Sequence, residues 1–398
     1  MNDRGGTFDG VHRRNLSKVL RLVHLEGAMS RARITALTGL NRSTVATLVA
    51  ELVDLGLAVE QPPDPTNRVG RPSPVVAADP NVQALAVNPE VDAVTMAAVG
   101  LDGRISVRER IEVDHPPSPE ETADLVAATR DRWVAGELRR ARLVGVGLAV
   151  PGLVRASDGL VRWAPHLLWT DAPLRALVEQ ATGLPAAVGN DASFGAHAEH
   201  LFGAGRGVDD LVYLNGGASG IGGGLVVHGR PVGGTGGYAG EFGQNRPGIA
   251  DPDDRRAEGG VLEDEVRRTR LLEVVGLTGA DEPTLAAALA ASAAPEVAAE
   301  LARQRRILAT ALANAVNVLN PSLVVLGGFL ATVAESDLAD LEQAVGAQTV
   351  AAAFEEVSIR VAALGEDRLM IGAAEAALAA LIADPGVDLI SYRALPLD

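Results

Sequence analysis

From Asp79 onward, apolar runs of strand length alternate with alanine-rich stretches of helical length, and the junctions are rich in glycine, of which the chain has 44. That alternation restricts the body to α/β layering around a mixed sheet. Strands are expected over Ala84–Val87, Val94–Val99, Leu143–Val150, Pro185–Val188 and Leu323–Leu326, with Leu101-Asp102-Gly103 as a hairpin turn. Leu211–Leu214 and Leu225–Val227 frame a glycine-dense turn. Helices are expected over Glu120–Glu137, Asp171–Thr182, Leu301–Leu319 and Ala373–Ile382. With 398 residues, 47% of them hydrophobic and 22% charged, the chain can form two or three domains and bury a large core.

Ahead of this body the periodicity changes. Leu16, Val19, Leu20 and Val23 form one helical stripe that Gly27 ends. Ser30 is placed to cap a short helix, Arg31 to Thr38, with Ile34 and Leu37 as its apolar positions. Thr38-Gly39-Leu40 is a tight turn, and Asn41 caps a third helix whose Val45, Leu48, Val49 and Leu52 face inward. Two short helices joined through glycine are a helix-turn-helix signature. Ala58–Glu60 and Ser73–Ala78 then read as the strands of a wing around the polar stretch 61–70.

Charge separates the same two parts. Residues 11–50 hold seven basic side chains against Glu26 alone, whereas the whole chain is at −16. A basic head on an acidic body argues against indiscriminate nucleic-acid binding and for a polyanion met by the head only. In such a head the start of the third helix enters the major groove, which places Arg42, Ser43, Thr44 and Thr47 at bases or phosphates. Arg31 is a further DNA-contact candidate. Arg68 and Arg71, in RVGRP at the wing, are short-reach cations suited to the minor groove or to phosphate. The absence of cysteine removes disulfides and thiolate metal sites. The N-terminus has no apolar signal region and no apolar run reaches membrane-spanning length, so the expected location is the cytoplasm.

The order of segments resembles the ROK family of repressors, open reading frames and kinases, in its repressor form. NLSKVLRLVHLEGAMSRARITALTGLNRSTV and VGRP carry the likeness in the head. GVGLAVPGLV, RWAPHLLW, VGNDASFGAHAEH, ASGIGGGLVVHGRP, GYAGEFG, GGVLE and NPSLVVLGG carry it in the body. The resemblance implies a two-lobed, actin-like and RNase H-like (sugar-kinase-like) α/β body with a cleft, behind an N-terminal winged helix-turn-helix. Residues 1–78 would be the DNA-binding domain, 79–189 with 373–398 the first lobe, and 190–372 the second. It also implies a homodimer on an operator of two half-sites, with pairing of dimers into tetramers left open.

The departures from the family pattern matter as much. Family kinases have an Asp-x-Gly-Gly-Thr loop at ATP phosphates; here Asn88-Pro89-Glu90-Val91-Asp92 stands there, without glycine and with two added acids. Loss of phosphoryl transfer is expected, since that chemistry rests on positioning and charge neutralisation. ASGIGGGLVVHGRP could cradle a phosphate, with Ser219 at the family's Thr position. The family's zinc ligands, one His and three Cys, are replaced by Gln244, Asp254, Arg256 and Val261, so no cofactor is expected. The loop from Asn245 to Gly259 would then be mobile or held by Asp253 or Asp254 with Arg255 or Arg256. Asn190, Asp191, Glu241 and Glu263 match the family's sugar contacts, and Gln244 could donate where the family has His. Asp191 is the kinases' general-base position and would be vestigial here. His166 lies where the family often has Asn near the sugar, with a surface or packing role as the equal alternative, and His197 with His200 lacks a third ligand for a metal. The reading is a transcriptional repressor whose degenerate kinase-like body senses a sugar. The alternative is an ATP-dependent hexose or N-acetylhexosamine kinase with a DNA-binding head.

Overall fold

The computed structural model describes residues 5–61 and 74–386. The head has three helices, α1 (Gly5–Glu26), α2 (Arg31–Thr38) and α3 (Arg42–Asp54), and three short strands, β1 (Met29–Ser30), β2 (Ala58–Gln61) and β3 (Val75–Ala78). Local chemistry sets each boundary. The Ser30 side chain accepts the Arg33 N–H at 3.2 Å, and the Asn41 side chain accepts the Thr44 N–H at 2.8 Å. Gly39, at φ 71°, returns its N–H to the Thr35 carbonyl and ends α2. The α1 stripe and the inward face of α3 are fully buried together with Ile34, but Leu37 is 52% exposed. The strands form an antiparallel sheet in the order β1-β3-β2.

The body continues with β4 (Val82–Pro89), β5 (Ala93–Gly100), β6 (Ile105–Glu112), α4 (Pro119–Ala135) and β7 (Arg142–Val150). After β8 (Leu153–Val154), β9 (Val161–Ala164) and β10 (Trp169–Ala172) come α5 (Leu174–Thr182), β11 (Ala186–Asn190) and α6 (Asp191–Phe202). A five-stranded sheet runs β11-β7-β4-β5-β6, with β4 and β7 parallel and β5 antiparallel to its neighbours. Both faces of β4 and β5 are buried, while β6 alternates at the solvent edge. Ser118 and Glu121 form a reciprocal capping box that starts α4. The helix expected from Asp171 begins at Leu174: Pro173 disfavours helical backbone at Ala172, and Asp171 lies in β10, paired back onto β9.

The remaining elements are β12 (Leu211–Gly216), β13 (Ile221–Val227), β14 (Arg230–Pro231), α7 (Leu262–Glu265), α8 (Arg268–Val274), α9 (Glu282–Ala291) and α10 (Pro295–Leu319). They are followed by β15 (Leu323–Gly328), α11 (Phe329–Glu335), α12 (Leu338–Gly346), α13 (Ala351–Phe354), β16 (Ser358–Val361) and α14 (Arg368–Ala383). A second five-stranded sheet runs β14-β13-β12-β15-β16. The expected glycine-dense turn is shorter than its glycines. Only Gly217–Gly220 turn, and Gly222, Gly223 and Gly224 lie inside β13. A Cβ on Gly222 or Gly224 would fall 2.6 or 2.4 Å from the Cβ of Ala192 or Ala196 on α6, so these glycines let the helix lie close on the strand.

The chain divides into two compact units. One comprises residues up to Val150, Gly159–Val188 and the chain from Ala373; the other comprises Pro151–Asp158 and Gly189–Gly372. The head belongs to the first unit and is bonded into it. Arg142 donates to the carbonyls of Leu55 and Gly56, both at 3.1 Å, and Ser17 donates to the Ile382 carbonyl at 2.7 Å. His24, at the end of α1, lies between the Leu101 carbonyl (2.6 Å) and Glu375 of α14 (3.1 Å). Among the described residues, no helix is long and apolar enough to cross a membrane.

Candidate functional site

The second unit gathers an amide and carboxylate set. Asn190 caps α6 by accepting the Ser193 N–H at 3.0 Å, and its amide donates to the Gly152 carbonyl at 3.1 Å. Asp191, the first residue of α6, accepts the Ala192 N–H at 2.8 Å. Burial pushes its carboxyl up to about 6, against the pull of that N–H and of Arg368. Glu263, on α7, accepts the Ile221 N–H at 3.1 Å and the Gln244 side-chain amide at 2.6 Å. It can approach because a Cβ on Gly220 or Gly243 would stand 2.5 or 2.6 Å from its Oε2. The Glu241 carboxyl is raised by desolvation and then by the charges of Asp191 and Glu263. The acids are thus near enough to repel one another, and a neutral molecule donating several hydroxyls would relieve that repulsion. Gln244 is found donating to Glu263, which orients the carboxylate.

The segment Asn88–Asp92 forms the β4–β5 hairpin. The Glu90 N–H closes the turn on the Ala93 carbonyl at 2.7 Å, and Asn88 donates to the Ala149 carbonyl at 2.9 Å. Arg110 meets Asp92 at 2.8 Å, Glu112 at 2.7 Å and Glu90 at 3.6 Å. One guanidinium among three carboxylates leaves this hairpin tip negative, and a main-chain donor that could meet phosphate is spent inside the turn.

The four residues that the resemblance sets at zinc positions, Gln244, Asp254, Arg256 and Val261, do not fit a tetrahedral nitrogen and sulfur site. Gln244 bonds Glu263, the Arg256 guanidinium donates to the carbonyls of Asp253 and Arg255, and Val261 offers no ligand atom. Asp254 is held by Arg306 of α10 through two bonds of 2.7 and 3.0 Å, which lower its carboxyl below the ordinary range. The expected pairing of Asp253 or Asp254 with Arg255 or Arg256 is therefore corrected: the partner comes from a helix 52 residues on. Among the described residues, no group of three or more His, Cys, Asp or Glu could hold a metal ion. His166 is exposed in the middle of the three-residue turn Pro165–Leu167.

On the head, Arg42, Ser43 and Thr47 are exposed along the first turns of α3, and Thr44 is half-buried. Ser43 donates to the capping Asn41 side chain at 2.8 Å. Arg31 pairs with Glu60 of β2 at 2.7 Å, so its guanidinium is turned to the sheet and carries less free charge than expected. Arg68 and Arg71 lie outside the described residues. Sequence reasoning missed the groups that bond the head to its unit, because their partners are remote in the chain.

The family model described as "ROK family" matches residues 85–380. The chain belongs to the ROK family. It is 25% identical to a xylose repressor of Caldicellulosiruptor bescii over 370 residues, 89% of this chain and 92% of that protein. It is 29% identical to a glucokinase of Halalkalibacterium halodurans, over 62% of this chain and 80% of that one. Among solved structures, a ROK family transcriptional regulator described as a homolog of the E. coli MLC protein superposes with a TM-score of 0.75 at 22% identity, over 96% of this chain and 99% of that chain. A ROK family glucokinase of Streptomyces griseus, solved with glucose and AMPPNP, superposes with a TM-score of 0.60 at 24% identity, over 74% and 98%. These likenesses support a sugar-kinase-like α/β fold for the body.

Proposed function

We propose that this ROK protein is a DNA-binding transcriptional repressor whose body binds a sugar or sugar derivative and does not phosphorylate it. The head is read as a winged helix-turn-helix over residues 1–78, and the body as lobes 79–189 with 373–398 and 190–372. The observation that carries the reading is the helix α3: it is side-chain capped, buries one apolar face, and turns Arg42, Ser43 and Thr47 outward. Arg42 suits bidentate contact with guanine, and the hydroxyls suit bases or phosphates. A homodimer would set two such helices on successive major-groove faces.

In the body, Asn190, Asp191, Glu241, Gln244 and Glu263 would take the sugar hydroxyls. The negative Asn88–Asp92 hairpin supports the loss of phosphoryl transfer. A bound sugar changes operator affinity only by its differential affinity for the two states of the protein. The test is fluorescence anisotropy of duplexes selected from genomic DNA, with and without D-xylose and D-glucose. Sugar-weakened binding of a two-half-site duplex supports the reading, and indifference to duplex DNA ends it. A sugar kinase is favoured by one observation, the Asp191 carboxyl raised to about 6, close to what a general base needs at neutral pH. ATP-dependent sugar phosphorylation abolished by Asp191→Asn would establish that second reading.

A further inference from the structure

Glu263, a proposed sugar contact, shares the four-residue helix α7 with Glu265. Glu265 and Arg303 of α10 are 1% and 2% exposed, so both charges are almost fully buried. The Glu265 carboxylate accepts the Arg256 N–H at 2.9 Å and the Ala257 N–H at 2.9 Å, and pairs with Arg303 Nη1 at 3.2 Å. Arg303 donates again to the Glu265 carbonyl at 2.7 Å and to the Asp254 carbonyl at 2.9 Å. Its remaining donors hold Glu300 at 2.7 and 2.8 Å. Outside this core, Arg306 grips Asp254. The loop between Asn245 and Val261 is thus tied at Asp254, Arg256 and Ala257 to α10 and α7, and the Leu262 N–H closes it on the Asn245 carbonyl at 2.7 Å.

The geometry points to Arg303 and Glu265 as positioning residues for the sugar-contact set. An ion-pair lattice, with no metal ion, fixes this loop and the register of α7, and through them the places of Gln244 and Glu263. Arginine is suited to this role because it is always charged and its planar fork meets several acceptors at once. The carboxylate of Glu265 cannot shift without stranding two main-chain N–H groups and a buried cation. Because Glu263 lies two residues away on the same helical turn, a displaced Glu265 displaces it as well. This inference rests on the sugar-binding reading for its functional half and on the loop alone for its structural half.

The test uses the full chain as wild type, Arg303→Met, Arg303→Lys, Glu265→Gln and Arg306→Met, each checked by circular dichroism. Trypsin cleavage after Arg255 and Arg256, followed by mass spectrometry with and without EDTA, reads the loop. Calorimetric titration with D-xylose and with D-glucose reads the site. The wild-type loop is expected to be cut slowly and equally with or without chelator. Arg303→Met and Glu265→Gln should raise cleavage by roughly tenfold or more and weaken sugar binding by roughly tenfold or more. Arg303→Lys should restore part of both, and Arg306→Met, at the half-exposed outer pair, should shift both by only about two- to fivefold. Opening of the wild-type loop by EDTA overturns the inference. So do variants whose cleavage and affinity both stay within about twofold of wild type, and faster cleavage at unchanged affinity overturns the positioning role. If wild type binds neither sugar, the sugar reading fails and the cleavage results alone uphold or overturn the lattice. If Arg303→Met does not fold, Arg306→Met and Arg303→Lys decide.

Discussion

Replacing Glu375 by glutamine tests what bonds the head to its unit. Both ring nitrogens of His24 face acceptors, the Leu101 carbonyl at 2.6 Å and Glu375 at 3.1 Å. A neutral imidazole has one N–H and satisfies only one of them, so the geometry calls for the imidazolium. Burial works to lower the His24 pKa, but the hydrogen bond and charge of Glu375 and the Leu101 carbonyl outweigh it, and the net shift is upward from 6.5. The sign follows from linkage: a raised folded value gives stability that is fully present below the unfolded pKa and is lost as pH rises through the folded one. In the Glu375→Gln variant the buried cation has no counter-charge, and His24 escapes by losing its proton. At pH 5 that loss costs about 2 kcal/mol, at about 1.4 kcal/mol per pH unit below the ordinary value, and the forfeited pairing energy adds to it. At pH 9, with the imidazole neutral in both proteins, the ion-pair part of the gap is gone and only a hydrogen bond to a carboxylate against one to an amide separates them, ~1 kcal/mol. Urea unfolding of both proteins from pH 5 to 9, followed by tryptophan fluorescence, to which the buried Trp133 and Trp169 contribute, should show a stability gap that narrows steadily with pH. A gap of the same size at both ends of that range would refute the protonated pair.

Other perturbations test the head, the site and the core. Arg42→Ala should weaken specific operator binding by ~1–3 kcal/mol while non-specific binding changes little; anisotropy at one fixed salt concentration on specific and scrambled duplexes checks this. Asp191→Asn should stabilise the fold by up to about 2–3 kcal/mol above pH 6, because a carboxyl raised to about 6 in the folded state disfavours folding once the unfolded chain ionises, and should do nothing below about pH 4. Thermal melts across pH 3.5–8, a range set by roughly those two limits, read that difference. Gly147→Ala should destabilise the first unit by about 3 kcal/mol or more, since the new Cβ would stand 1.8 Å from the Ala373 carbonyl oxygen of α14. A urea midpoint unchanged by that substitution would mean that α14 does not lie on β7.

The elements whose causes are local were legible in the sequence. Ser30, Gly39 and Asn41 act within three or four residues of themselves, and the helices they bound lie where their spacing put them. Where the cause is tertiary, the same residue types misled. Gly222 and Gly224 read as a turn because glycine usually marks one, yet their reason is the closeness of α6, and that of Gly223 between them is the closeness of Phe242 and Gly240, none of which a window along β13 contains. Asp171 reads as a helix start in its local window, yet the pairing of β10 with β9 claims it. The candidate site divides in the same way. Motif positions name its carboxylates, but not what orients them: Gln244 reaches Glu263 across 19 residues, and Arg303 reaches Glu265 across 38.

On the proposed function, two acids of the body carry a cost in stability. Burial works against the charge of Asp191 and of Glu241, and at Glu241 the neighbouring charges of Asp191 and Glu263 add to it. A core relieved of function would exchange such groups for neutral ones at a gain in stability. In the Asn88–Asp92 hairpin, Arg110 pairs with Asp92, Thr95 donates to Glu90 and the turn is closed by its own hydrogen bond, while three carboxylates around one guanidinium leave the tip negative. On the proposed function, the cost at Asp191 is kept for hydroxyl recognition. The stability gained by Asp191→Asn and the loss of sugar affinity in the same variant should therefore appear together, and a variant that gains the first without the second would break the link between them.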